Sequence, residues 1–195
     1  MGRIFCLIGK SGSGKDSIFE LLSGDKTLGL RGVVTYTTRP MRDGERDGEQ
    51  YYFVSKEDLD KFDKSGRLIE IRRYDTVKGA WYYATVDDGQ IDISRGNYLM
   101  ILTPRGCLAL KKRFGDENVV PVYLEVEDGE RLDRALKRER QSANPQYKEM
   151  CRRFLADCED FSEERLKAAG VSKRYINDDL AACAGIIRKD ITEEK

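Results

Sequence analysis

The sequence predicts an α/β fold of three layers, a parallel sheet covered by helices on both faces. Three observations lead there. Apolar runs at Arg3–Ile8, Asn97–Thr103 and Val119–Val126 have the near-continuous hydrophobicity of strands buried on both sides. Between and after them lie stretches with helical spacing, and strand–helix–strand connections of this length belong to parallel sheets. The length, 195 residues, suits one compact domain that carries inserted subdomains.

The first strand, Arg3–Ile8, runs into Gly9-Lys10-Ser11-Gly12-Ser13-Gly14-Lys15, which satisfies G-x-x-x-x-G-K, and Asp16–Leu22 follows with helical spacing of Ile18, Leu21 and Leu22. Strand, glycine loop and helix together make a phosphate cradle. Its backbone N–H groups converge on an anion, and the helix N-terminus adds partial positive charge. Lys15 reaches the β- and γ-phosphates as a mobile charge. The stretch predicts a nucleoside triphosphate site made by Gly9, Ser11, Gly12, Ser13, Gly14 and Lys15. The next residue is Asp16, where a Ser or Thr hydroxyl would touch Mg²⁺, and the first hydroxyl comes at Ser17. Asp16 is either a carboxylate favoured at a helix N-terminus or one that faces the metal, so Asp16 and Ser17 are the candidate metal ligands.

Composition narrows the class. Lys+Arg and Asp+Glu number 35 each, so no overall basic field points to nucleic acid. No apolar run approaches a membrane span and no signal peptide is recognisable. The five cysteines, 6, 107, 151, 158 and 183, are scattered without C-x-x-C spacing and read as reduced cytosolic thiols. There is no histidine, which removes the usual general base and metal ligand.

Further along, Gly24–Gly32 reads as a loop and Val33–Tyr36 as the start of a strand. After two glycines flanked by Asp and Glu, Tyr51–Val54 returns as a strand. Arg39, Arg42 and Tyr51 offer two guanidinium forks and a phenol suited to a second phosphate. Ser55–Asp58 forms a capping box for a short helix (Leu59, Phe62) closed by Gly66. Leu68–Ile71 reads as a strand. Pro104 opens a helix that ends at Lys111-Lys112-Arg113 and Gly115. Glu130–Arg140 is a helix with Leu132, Ala135 and Leu136 inward and Arg131, Arg134, Arg138 and Arg140 outward. Ser142–Pro145 breaks it, and Tyr147–Lys167 resumes as one long helix. A final helix spans Leu180–Ile191, where Asp178 or Asp179 could act as cap, and the charged tail from Thr192 is expected to fray.

The segment T-T-R-x-x-R-x-G-E-x-x-G-x-x-Y-x-F-V, from Thr37 to Val54, resembles the acceptor-binding segment of guanylate kinases, and Ile176-Asn177-Asp178-Asp179-Leu180 resembles their last strand. The resemblance implies a P-loop fold in one domain: a core of residues 1–32, 97–127 and 155–195, a nucleoside-monophosphate-binding insertion at 33–96, and a helical lid at 128–154. It implies transfer of a phosphoryl group from ATP to GMP or dGMP with Mg²⁺, in the cytoplasm, by a monomer or homodimer whose partners are small nucleotides, with no nucleic acid or membrane. Thr35, Arg39, Arg42, Tyr51, Glu70, Tyr83, Thr85 and Thr103 would bind GMP, with Glu70 reading the base. Asn177 would lie beside the donor adenine, and Arg42 with the lid residues Arg138 and Arg153 would join Lys15 in catalysis. Two departures stand out. About four extra residues near Thr76–Ala80 precede Tyr82-Tyr83-Ala84-Thr85, and the family's strand-end Asp-x-Asp is replaced by Ile101-Leu102-Thr103. Two alternatives remain at this stage: a kinase for another nucleoside monophosphate or a phosphosugar, and a non-enzymatic guanylate-kinase-like module that binds phosphopeptides.

Overall fold

The structure is a computed structural model that describes residues 1–42 and 44–193; Asp43 of the acceptor-like segment and Glu194 and Lys195 of the tail lie outside the described residues. In chain order the elements begin β1 (Ile4–Gly9), α1 (Lys15–Gly24), β2 (Leu30–Gly32), β3 (Tyr36–Thr37), β4 (Tyr52–Phe53) and α2 (Lys56–Lys64). They continue β5 (Leu68–Thr76), β6 (Gly79–Val86), β7 (Asn97–Leu102), α3 (Pro104–Phe114), a 3-10 turn at Asp116–Asn118 and β8 (Val119–Glu125). The last are α4 (Asp128–Gln141), α5 (Tyr147–Asp160), α6 (Glu163–Ala168), β9 (Arg174–Ile176) and α7 (Leu180–Glu193). Two compact units result, one of Met1–Arg31 with Ile93–Lys195 and one of Gly32–Asp92.

The first unit carries a five-stranded sheet of order β2-β7-β1-β8-β9, parallel at the β7–β1, β1–β8 and β8–β9 pairings. All six residues of β1 are buried, as a strand covered on both faces requires. Phe5 and Leu7 pack with Ile18 and Leu22 of α1 and with Cys183, Ile187 and Ile191 of α7. Cys6 points the other way, toward Cys107 of α3, and burial pushes its thiol well above the usual range. This alternation fixes the three layers.

The second unit is a four-stranded sheet of order β4-β3-β6-β5 with α2 on one face. Tyr36, Ala84 and Val86 pack there against Leu59 and Phe62 of α2. The capping box at Ser55 is complete, its hydroxyl accepting from Asp58 N and the Asp58 carboxylate accepting from Ser55 N, and Gly66 ends the turn at φ 68°.

Several expectations are corrected. The loop at 24–32 contains strand β2, and Val33–Thr35 is not strand, which begins only at Tyr36. The strand expected at Tyr51–Val54 is two residues long, Tyr52–Phe53, and it runs parallel to β3. The extra residues near Thr76 lengthen β5 and β6 into a long antiparallel hairpin closed at Thr76–Gly79. The helix expected over 147–167 breaks, because Phe161 ends α5 and Ser162 caps α6 by accepting from Arg165 N. On α4 the buried face is Arg131, Ala135 and Glu139, with Leu132 37% exposed, the reverse of the expected orientation for Arg131 and Leu132. At the C-terminus α7 takes in Thr192 and Glu193, and Thr192 Oγ1 donates to Arg188 O at 2.8 Å.

Candidate functional site

The glycine loop leaves the C-terminal end of β1 and enters α1 at Lys15. Gly12 and Gly14 have φ of 80° and 85°, in the region that disfavours a side chain. Close approach adds to this: a Cβ on Gly14 would lie 2.5 Å from Asn177 Nδ2, and one on Gly12 would lie 2.8 Å from Arg131 O. The loop is thus held from outside. Asn177 Nδ2 donates to Ser13 O at 2.7 Å, and Arg131 Nη1 donates to Ser11 O at 2.9 Å. Asp157 of α5 accepts from Ser11 N at 2.6 Å, and Lys10 Nζ lies 3.3 Å from Asp128.

Arg131 is the hub of this arrangement. It is 1% exposed, donates to Asp128 from Nε and Nη2 at 3.1 and 2.6 Å, and stacks 4.8 Å from the Phe154 ring centroid. Its guanidinium holds the Asp128 carboxyl below the usual carboxylate range. Sequence reading set Arg131 among the solvated arginines and missed Asp128 and Asp157. Their spacing on α4 and α5 gives no local sign that they meet the loop.

Lys15 Nζ donates to Lys10 O at 3.0 Å, folded back over the loop. Burial pulls its ammonium below the usual lysine range, opposed by Asp16 and Asp157 and reinforced by Arg131 and Arg138. Asp16 and Ser17 are exposed in the first turn of α1, whose cap residue is Gly14, with no side-chain cap hydrogen bond. Asp16 is thus an acidic residue of the first turn and not the N-cap itself. Arg138 is exposed, and Arg153 lies 3.4 Å from Glu139 across the α4–α5 pair. Thr103 is the N-cap of α3, accepting from Gly106 N at 3.4 Å. Asp179 accepts from Ala182 N at 2.8 Å in the first turn of α7, the capping expected of Asp178 or Asp179.

In the second unit the strand register collects polar residues on the face away from α2. Thr37 pairs with Tyr83, Tyr83 with Arg72, and Thr85 with Glu70, and directly paired residues share a face. A register shift between Leu68 and Glu70 lets Leu68 join the apolar cluster while Glu70 turns to the polar side. Glu70 is 6% exposed, with Arg72 Nε 2.6 Å from its Oε1. It is not a solvated strand carboxylate. Tyr51 meets Tyr83 edge to face at 5.7 Å, and Arg39 lies 5.4 Å from the centroids of both Tyr51 and Phe53. Thr35 sits just before β3 and accepts from Tyr52 N at 2.9 Å. The Thr85 hydroxyl is buried without a hydrogen-bond partner among the described residues, an orphaned group that a ligand could satisfy.

Arg39 is buried and engaged. Its Nη1 and Nη2 donate to Glu45 at 2.8 Å each, and Nη1 also donates to Pro40 O at 2.8 Å. Against the upward push of burial, the fork helps hold the Glu45 carboxyl below the usual range. Arg42 is exposed, its backbone N–H also on Glu45 at 2.7 Å. Glu45 was read only as turn sequence, and Arg72 not at all. The signal for Arg72 was its i, i+2 spacing from Glu70 on one strand face.

Among the described residues, Arg39, Arg42, Tyr51, Glu70, Tyr83 and Thr85 thus belong to one unit, and the glycine loop, Thr103, Asn177, Arg138 and Arg153 to the other.

Comparison with known proteins bears on the family and the fold. The sequence model of the family described as guanylate kinase matches residues 1–163. The guanylate kinase of Chlorobaculum tepidum is 32% identical over 98% of this chain and 93% of its own length. That of Porphyromonas gingivalis is 26% identical over 99% of this chain and 98% of its own length. The crystal structure of guanylate kinase from Anaplasma phagocytophilum superposes with a TM-score of 0.67 at 20% identity, covering 99% of this chain and 86% of that one. At that identity the superposition speaks for the P-loop α/β fold alone. The likeness to the curated relatives runs along nearly the whole length, through the glycine loop and the polar sheet face, and on that ground the chain belongs to the guanylate kinase family.

Proposed function

We propose that this chain transfers the γ-phosphoryl group of ATP to GMP (or dGMP), giving ADP and GDP. The observation that carries the acceptor assignment is the buried Glu70 carboxylate on the same sheet face as Tyr83, Thr85 and Tyr51. A carboxylate accepts from both N1–H and the N2 amino group of guanine, whereas adenine offers an acceptor at N1. In this reading the loop Gly9–Lys15 holds the donor phosphates, with Lys15 leaving its Lys10 carbonyl for the β- and γ-oxygens. Arg39, Arg42, Tyr51 and Tyr83 hold the acceptor phosphate, Thr35 and Thr85 help seat the nucleotide, and Thr103 takes the place of a base-contacting aspartate. Residues 33–96 act as the acceptor-binding part and 128–154 as the lid that carries Arg138 and Arg153. Asn177, which braces Ser13, sits on the donor side.

The chemistry asks for positioning and charge stabilisation and not for a base. The acceptor is a phosphate oxygen largely ionised at neutral pH, its second pKa being about 6. The absence of histidine is no obstacle.

Mg²⁺ is the proposed metal. One exposed carboxylate, Asp16, and one exposed hydroxyl, Ser17, share the first turn of α1. That donor set fits an ion that takes one or two protein oxygens and fills its remaining positions with phosphate and water. When bound, it neutralises charge on the β- and γ-phosphates. Asp16→Ser should therefore raise the Mg²⁺ concentration needed for half-maximal rate by about tenfold, roughly the loss of one charge-assisted contact. An Mg²⁺ titration with unchanged half-saturation would leave Asp16 only its favourable place in the helix dipole.

The acceptor forks give a second test. Arg42→Ala should raise the GMP KM by about 10- to 100-fold, the worth of a charged contact at roughly 1.5–3 kcal/mol, with ATP KM and melting temperature little changed. Arg39→Ala should do the same and also lower the melting temperature, because it strands Glu45. If both variants lost ATP affinity and kept the GMP KM, the division of sites would be wrong.

We also assign the chain to the cytoplasm and to purine metabolism, with small nucleotides as partners, as a monomer or homodimer. All five cysteines are free, as expected where thiols stay reduced, and no helix among the described residues is long and apolar enough to cross a membrane. A coupled ADP-release assay with GMP, dGMP, AMP, CMP, UMP and phosphosugars tests the assignment. Preference for GMP or dGMP upholds it, and turnover confined to another acceptor overturns it.

A further inference from the structure

We infer that Arg72 is a positioning residue for base recognition, holding Glu70 as a charged acceptor; this rests on the reading of Glu70 as the guanine-contacting carboxylate. The Glu70 and Arg72 side chains are 2% and 15% exposed, with Arg72 Nε 2.6 Å from Glu70 Oε1. They lie two residues apart on β5, so the strand itself puts them on one face. Across the sheet, Glu70 faces Thr85 and Arg72 faces Tyr83.

A carboxylate this buried tends to take up a proton unless a positive charge stands beside it. Protonation would matter here. A neutral carboxyl keeps one hydroxyl donor in place of acceptor capacity, and the guanine edge presents N1–H and N2–H donors. A fully charged neighbour removes that failure, and a guanidinium does not give up its proton under such conditions. Burial pulls the Arg72 guanidinium down, yet Glu70, Tyr74 and Tyr51 together hold it above its ordinary value. Among the described residues, phenols and a further guanidinium stand nearby. Tyr74 shares β5, Tyr83 is on β6, Tyr51 precedes β4, and Arg39 stacks on Tyr51 and bonds to Glu45. Arg72 is a cation within ion-pair distance of Glu70, and the β6 partner, Thr85, is uncharged.

The arrangement also orients. Arg72 Nε stands 2.6 Å from Glu70 Oε1 as an ion-pair contact without hydrogen-bond alignment, so the guanidinium draws the carboxylate to one side of the strand face and leaves its oxygens open to a ligand's donors.

The test is a cycle of four full-length proteins, wild type, E70Q, R72Q and E70Q/R72Q, with R72K as the conservative variant. kcat and KM for GMP are measured from about pH 5.5 to 9, with ATP and Mg²⁺ saturating. R72Q should raise the GMP KM about tenfold at neutral pH and shift the acidic limb of kcat/KM upward by more than one pH unit, because Glu70 then needs a higher pH to ionise. R72K should recover most of both effects. E70Q/R72Q should match E70Q within about threefold and lack the shifted limb. A pH-independent loss in R72Q, or a further loss of tenfold or more on adding R72Q to E70Q, would overturn the inference and give Arg72 a role apart from Glu70. Should R72Q fail to fold, the comparison of E70Q/R72Q with E70Q still decides, since the double variant carries no stranded charge and E70Q is measured well below its own melting temperature. Failure of the base reading is separately visible: E70Q alone would then leave the GMP/AMP ratio unchanged.

Discussion

Replacing Lys15 by alanine is expected to lower kcat by about 10²–10³-fold, the usual loss when one group that stabilises transition-state charge is removed. The fold should survive. Lys15 is the first residue of α1, and its ammonium donates to the Lys10 carbonyl within the loop. The glycine loop is braced independently by Asn177, Arg131 and Asp157. Circular dichroism and melting temperature should be near wild type, while single-turnover transfer collapses. Wild-type-like turnover in a well-folded Lys15→Ala protein would remove the proposed donor site.

The donor half was legible because its determinants are local. Gly9 to Lys15 sit in seven consecutive residues, with the strand before and the helix after supplying the context. The same holds for the Ser55–Asp58 box and for Pro104 and Gly115 around α3, where each residue acts within one helical turn. What escaped was long-range. β2 is three residues whose sheet neighbour, β7, is remote in sequence, and Leu30-Arg31-Gly32 has no strand signature of its own. The inward face of α4 was misassigned because apolarity was used as the guide. Arg131 is buried by partners on other segments, Ser11 and Asp157, which no helical periodicity reveals. Asp157 accepting from Ser11 N means that one loop donor already has a carboxylate on it. In the second unit, Glu70, Tyr83 and Thr85, picked out through the family pattern, do share one sheet face. Charge partners were missed: Glu45 for Arg39 depends on the loop path, and Arg72 for Glu70 on a two-residue strand spacing that was legible but not applied.

Glu70→Gln carries the second large effect. Glutamine keeps the size of the side chain but replaces one acceptor oxygen by an amide donor and removes the charge. At guanine it can accept once, while its NH₂ opposes a donor of the base. Loss of a charge-assisted contact of about 1.5–3 kcal/mol, with one unmatched donor pair added, predicts a fall in GMP kcat/KM of about 100-fold or more. AMP should change far less, because adenine gains nothing from the carboxylate. Glutamine also leaves the buried Arg72 guanidinium without its carboxylate. Its melting temperature should therefore fall, and activity has to be measured well below it. The strand-end position that carries aspartate in the family pattern is Thr103 here, and that hydroxyl already caps α3. Base discrimination should therefore rest on Glu70 more heavily than on Thr103, and Thr103→Asp should widen the GMP/AMP ratio only modestly.

The most direct measurement is the ratio of kcat/KM for GMP to that for AMP, taken with ATP as donor on the wild-type chain and on Glu70→Gln under one set of conditions. A wild-type ratio well above 1 that narrows at least tenfold in Glu70→Gln is the predicted result, the tenfold being roughly one lost contact of 1.4 kcal/mol. A wild type that prefers AMP, or a ratio that Glu70→Gln leaves unchanged, would contradict the assignment of Glu70 as the reader of the base.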